Sequence, residues 1–139
     1  MLERDVILSK VNIVENCLKA IHKAVGTDVE KLHDDMVENV ATLNLQRAIQ
    51  ATIDMAQVVI AAQNLSLPNS YGHAFRIIAK AGVIDDALAT QMVKMVGFRN
   101  IAVHAYQEID VGILKAIITN HLDELRIFCG KILQTFPAN

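Results

Sequence analysis

From Ile7 the apolar residues Ile7, Val11, Val14, Leu18, Ile21 and Val25 recur at alternating spacings of four and three, the period of one face of an α-helix. Gly26 is placed to end that helix, and Thr27 with Glu30 has the form of a capping box for the next element. His33, Asp34 and Asp35 mark a short break before a long second helix, from about Val37 to Asn64, that carries two apolar faces. Val37, Ala41, Asn44, Ala48, Ala51, Met55, Val58 and Ala62 form one, and Leu45, Ile49, Ile53, Ala56 and Ile60 form the other. A helix apolar on two sides belongs at the centre of a bundle, and its alanines permit close approach by neighbours. Its remaining stripe, Arg47, Gln50, Asp54 and Gln57, is either a solvated strip or the lining of a cleft in which Asp54 orients Arg99.

Ser66 to Ser70, with Pro68 inside, interrupts the pattern, and Asn69 or Ser70 is positioned to cap a short third helix ending near Gly82. Asp85 caps a fourth helix and Asp110 a fifth, in which Leu114, Ile118, Leu122, Leu125, Cys129 and Ile132 face inward until Pro137. No strand-like alternation, repeat or low-complexity segment occurs along the chain. The expectation is an all-α fold, a four-to-five-helix up-and-down bundle occupying residues 1–139 as one domain.

Composition adds an expected partner. A hydrophobic share of 53% and a mean hydropathy of +0.31 are high for a monomer, so a homodimer that buries part of this surface is expected. A membrane span does not account for it, because the uncharged run from Met55 to Phe75 is broken by Gln57, Gln63, Asn64, Pro68 and Asn69. Glu3, Arg4 and Asp5 do not fit a signal peptide, and a cytoplasmic location is expected. Cys17 and Cys129 fall on apolar helical positions and read as reduced core residues. With a net charge of −2, any nucleic-acid contact must be local, and Arg76, Lys80, Lys94 and Arg99 are candidates for a basic rim.

The fourth helix holds the candidate chemistry. Leu88, Met92, Met95, Arg99, Ala102 and Tyr106 share one face if the helix continues, so Arg99 interrupts an apolar stripe, a placement that asks for a partner, an interface or an anion. Asn100 and His104 lie within about 40° of each other, whereas Arg99 and His104 are about 140° apart. Either the helix ends or bends near His104, or a second copy supplies the missing half of the site; the second is favoured. Gly97, unusual inside a helix, suits close approach by such a copy. Glu30 and His33 have the Glu-x-x-His spacing of di-iron bundles, but in a single copy and without facing carboxylates, so no metal is expected. No glycine-rich phosphate loop is present, and neither cysteine has a neighbouring base in sequence.

Arg99-Asn100-Ile101-Ala102-Val103-His104-Ala105-Tyr106 reads Arg-x4-His-x-Tyr. Together with Asn44 to Ile49, Ile53 to Ala56, Pro68 to Tyr71 and Met95 to Asn100, it resembles the HepT-like toxins of the HEPN superfamily over the whole chain. The resemblance implies a HEPN-like homodimer and a ribonuclease centre that needs no metal or cofactor. Arg99 and His104 would carry cleavage, and Asn100 would position His104 or the phosphate. Asp54 and Arg47 are supporting candidates. It further implies a minimal nucleotidyltransferase antitoxin that transfers AMP from ATP to Tyr106 and silences the enzyme. The chemistry is apt, since a deprotonated 2′-hydroxyl attacks the adjacent phosphate, two imidazoles serve as base and acid, and a guanidinium neutralises the phosphorane. The alternative is a catalytically silent helical module that binds a nucleotidyltransferase or nucleotide.

Overall fold

The four-and-three alternation of the first segment forms α1 (Leu2–Val25), with Ile7, Val14, Leu18, Ile21 and Val25 at no more than 1% exposure in the computed structural model, which describes residues 2–138. Gly26 ends α1 in the left-handed region at φ 60°, its N–H donating to the His22 carbonyl at 2.7 Å. The capping box expected at Thr27 does not form. Asp28 instead caps a 3-10 turn over Val29–His33, accepting from the Glu30 N–H at 3.0 Å, and Asp34 caps α2 (Asp35–Ala62) by accepting from Met36 and Val37. An ionised carboxylate is the stronger acceptor where the helix dipole is positive, and so displaces the threonine.

α2 is the central helix, packed against α1, α3, α4 and α6. Both expected apolar faces are used, Ala41, Ala48 and Met55 on one side and Leu45, Ile49, Ile53 and Ala56 on the other, all at 0% exposure. Each large aliphatic side chain so enclosed contributes about 1.5–3 kcal/mol relative to exposure. α1 runs antiparallel beside it, with Lys10 meeting Asp54 and Cys17 lying near Arg47. Ser70 caps α3 (Tyr71–Lys80) by accepting from the His73 N–H at 3.1 Å, and Asp85 caps α4 (Asp86–His104) by accepting from Leu88 at 2.8 Å. Phe75 of α3 meets Phe128 edge-on within the core, ring centres 5.4 Å apart.

The expected fifth helix is two, α5 (Val111–Asn120) and α6 (Leu122–Thr135), giving six α-helices and no strand among the described residues. The chain breaks at His121, whose Nδ1 lies 2.9 Å from Glu124 Oε1 in the first turn of α6. Leu114 and Leu125 are eleven residues apart, within about 20° on a continuous helix, so the apolar period passes over the break without registering it. α6 packs on α1, α2 and α4, while α5 leans on the Val29–His33 turn. Lys115 secures that contact, its Nζ standing 3.0 and 3.1 Å from the Glu30 carboxylate oxygens and 2.8 Å from His33 Nε2. The Lys115 hydrogen bond and charge hold the Glu30 carboxyl below its usual range. The Glu-x-x-His pair thus serves an ammonium group. Among the described residues no cluster of three His, Cys, Asp or Glu side chains has metal-binding geometry.

Both cysteines are buried and unpaired. Burial pushes the Cys17 thiol up against the opposing charge of Arg47, and burial with Glu15 nearby pushes Cys129 to about 12. Neither is a thiolate near neutral pH, which leaves them as packing groups.

Candidate active site

Asp85 starts α4 and a buried edge of Ala89, Met92, Met95, Val96, Phe98 and Ala102 seats it on the bundle. Arg99 sits at the border of that edge, half-buried, and residues of α2, α3 and its own helix define its position. Its Nε donates to Gln50 Oε1 of α2 at 3.0 Å, and its Nη1 donates to Asn100 Oδ1 at 3.1 Å. Its guanidinium carbon stands 5.1 Å from the centre of the Tyr71 ring of α3. A guanidinium carries five N–H groups; with two engaged by neutral oxygens, three stay available to an anion.

Asp54, which one of the two readings of the polar stripe has orienting Arg99, does not itself touch the guanidinium. Its Oδ1 accepts from Gln50 Nε2 at 2.9 Å and its Oδ2 pairs with Lys10 at 2.9 Å, so Gln50 stands between the two charges. A side chain at position 50 lies one helical turn nearer to Arg99, which is why the shorter path runs through the amide. Arg47 is exposed and lines a groove of about 480 Å³ between α1 and α2 together with Asn16, Asn44, Gln50 and Asp54. It is one turn from Gln50 and takes no part in holding Arg99.

α4 ends at His104, where Ala105 adopts φ −147° and ψ 52° and donates to the Ile101 carbonyl at 2.8 Å. His104 is exposed. The end comes too late to turn it toward Arg99, so within one chain the imidazole and the guanidinium point to different sides of α4. Asn100, also exposed, bonds Arg99 and not His104. The face they leave open comprises Lys94, Gly97, Asn100, Ile101 and His104, every one of them exposed. A Cβ built on Gly97 meets nothing within 4 Å among the described residues. Beside this face an apolar groove of about 390 Å³ separates α4 from α5, lined by Met95, Phe98, Ile101, Ile109, Ile113 and Ile117.

Tyr106 departs furthest from expectation. The continuous helix that would have set it about 20° from Arg99 has ended, and it begins a 3-10 turn (Tyr106–Glu108). Its hydroxyl donates to Asn39 Oδ1 near the start of α2. Burial raises the phenol pKa, Glu38 and Asp35 raise it further, and Thr42 works the other way. Asn39 and Gln50 are eleven residues apart on α2, about 16 Å along its axis, so Tyr106 does not lie beside its own Arg99. The expected basic rim also divides. Arg76 donates to Thr90 at 3.0 Å, and Lys94 lines the apolar groove on the side of α4 away from Arg99. Gln50, Lys10, Tyr71 and Asn39 were not singled out as site residues from sequence. Gln50 stood in the polar stripe and Tyr71 closed a family-like segment, but Lys10 and Asn39 carry no local signal.

Residues 14–132 match the family described as Ribonuclease HepT-like. The mRNA nuclease HepT of Shewanella oneidensis is 34% identical over 128 residues, covering 92% of this chain and 96% of that protein. Two solved structures share the fold closely. A toxin–antitoxin crystal structure with AMP-PNP superposes with a TM-score of 0.89 at 32% identity, covering 94% of this chain and 98% of its counterpart. The tri-AMPylated Shewanella oneidensis HEPN toxin in complex with MNT antitoxin gives a TM-score of 0.88 at 33% identity, with the same coverage of 94% and 98%.

Proposed function

This chain belongs to the HepT-like ribonuclease family, and we infer that it is a metal-independent endoribonuclease toxin silenced when a minimal nucleotidyltransferase antitoxin transfers AMP to it. The observation that carries the catalytic reading is Arg99, held by neutral acceptors with N–H groups to spare, on the same stretch of α4 as exposed Asn100 and His104. Such a guanidinium suits the charge that gathers on a pentacoordinate phosphate. One imidazole takes the 2′-hydroxyl proton as the oxygen attacks phosphorus; a second, protonated imidazole delivers a proton to the departing 5′-oxygen. The P–O5′ bond breaks, and the products are a 2′,3′-cyclic phosphate and a 5′-hydroxyl. Purified protein incubated with RNA in EDTA is expected to release fragments with those ends. Intact RNA at every enzyme concentration would remove the assignment and favour a silent binding module.

The reaction uses two imidazoles and each chain has one His104, which supports a symmetric homodimer with the α4 helices apposed. The open face of α4 suits that contact, since Gly97 leaves room for a close backbone and Ile101, 40% exposed, gains by being covered. Sedimentation and cleavage measured across one dilution series are expected to fall together as the dimer dissociates. A monomer with undiminished activity would refute the composite site. A substrate of RNA and a modification drawn from ATP support a cytoplasmic location. No described helix is long and apolar enough to cross a membrane.

A further inference from the structure

We propose that Gln50 is a positioning residue for RNA cleavage, fixing Arg99 through a neutral amide so that the guanidinium is oriented without losing its charge. The inference rests on Arg99 acting on the RNA phosphate. A chain of three contacts crosses three helices: Lys10 Nζ of α1 to Asp54 Oδ2 at 2.9 Å, Gln50 Nε2 to Asp54 Oδ1 at 2.9 Å within α2, and Arg99 Nε of α4 to Gln50 Oε1 at 3.0 Å. The amide can stand only one way round. Its NH2 must face the carboxylate and its oxygen the guanidinium, because the reverse would set donor against donor and acceptor against acceptor.

This arrangement separates two jobs that a carboxylate would merge. A direct Asp–Arg pair orients strongly, but it engages the fork in two parallel hydrogen bonds and neutralises the charge that a phosphate must find. Here both oxygens of Asp54 are taken, one by Lys10 and one by the amide, with Lys10 balancing the carboxylate's charge. Lys10 and Asp54 side chains are only 28% and 30% exposed, so the pair is a partly enclosed anchor. Gln50 transmits its rigidity and not its charge. Asn100 and the Tyr71 ring complete the setting without adding an anion.

Single-turnover cleavage of a short single-stranded RNA, and binding of its non-cleavable 2′-O-methyl form, separate the possibilities when Gln50→Leu and Gln50→Glu are compared with native protein. Gln50→Leu is expected to slow cleavage at least tenfold, in keeping with the roughly 10²-fold cost of a 1 Å misplacement, while binding changes less than threefold. Its salt dependence of binding should be that of the native protein. Gln50→Glu is expected to slow cleavage further and to flatten the slope of log affinity against log salt by about 0.7, the loss of one phosphate contact on a single strand. Cleavage by Gln50→Leu within twofold of native, or Gln50→Glu with native rate and slope, overturns the proposal. Hydrogen exchange of the Arg99 Nε–H in the native protein tests the clamp without any variant: slow exchange is expected, and exchange as fast as in free arginine overturns it. Should Arg99→Ala cleave at the native rate, it is the catalytic role of Arg99 that fails, a result distinguishable from failure of the clamp.

Discussion

Replacing His104 by Ala is expected to reduce RNA cleavage by on the order of 10³-fold or more, because general acid–base transfer contributes about 10²–10⁴ and the proposed mechanism assigns both transfers to this residue in two copies. Exposure of His104 at the end of α4 means the substitution removes no core contact, so stability should stay within about 0.5 kcal/mol of native. Arg99→Ala is expected to lose about 10²–10³-fold, the usual cost of removing one donor to a developing oxyanion. Arg99 is half-buried against Tyr71 and Gln50, so a second variant, Arg99→Lys, guards against an effect on folding alone. Lysine keeps the charge and loses the planar fork, and should recover part of the binding but little of the rate. Both losses should relieve growth inhibition when the variants are expressed without antitoxin. A folded His104→Ala protein that cleaves as fast as native would end the catalytic assignment.

Tyr106→Phe is expected to remain a toxin while resisting its antitoxin. In the modification the phenol oxygen attacks the α-phosphorus of ATP, the bond to the β-phosphate oxygen breaks, and pyrophosphate departs with the phenol proton passing to a base. Burial and the charges of Glu38 and Asp35 raise the phenol pKa, so it is protonated near neutral pH, and Asn39, a neutral amide, cannot take the proton. The base is therefore a group other than Asn39. Tyr106 is 41% exposed, which leaves its hydroxyl open to such a partner once the Asn39 contact is released. The silencing is not a local block of the same chain's Arg99, from which Tyr106 is separated along α2. On the proposed homodimer, the added phosphodiester is expected to act in the cleft between two copies, offering bulk and negative charge to RNA approaching the guanidinium. Intact-mass measurement after incubation with antitoxin, Mg²⁺ and ATP should show AMP on native protein and none on Tyr106→Phe. If Tyr106→Phe gains AMP as readily, the acceptor is another residue.

How far these residues could be found from sequence depended on the range of the interaction involved. The helices α1 to α4 were legible because burial imposes a period of 3.6 that each segment carries within itself, and Ser70, Asp85 and Asp110 were legible as caps because the bond spans two or three residues. Arg99, Asn100, His104 and Tyr106 were legible as a group because they form a contiguous motif and because a cation on an apolar stripe demands an explanation. The break at His121 was not, since the same apolar period continues on both sides of it.

What only the tertiary structure decided is who holds whom. Lys10 is brought to Asp54 by antiparallel packing of α1 on α2, and Arg99 to Gln50 by that of α4 on α2, across separations of 44 and 49 residues that no local pattern records. The direction of Tyr106 was decided the same way: once Ala105 leaves the helical region, its orientation depends on the docking partner, Asn39, 67 residues away. Periodicity fixes which face of a helix is buried, within one element and from one energy term. Polar partners are chosen by distance and donor–acceptor matching between elements, and those exist only after the chain has packed.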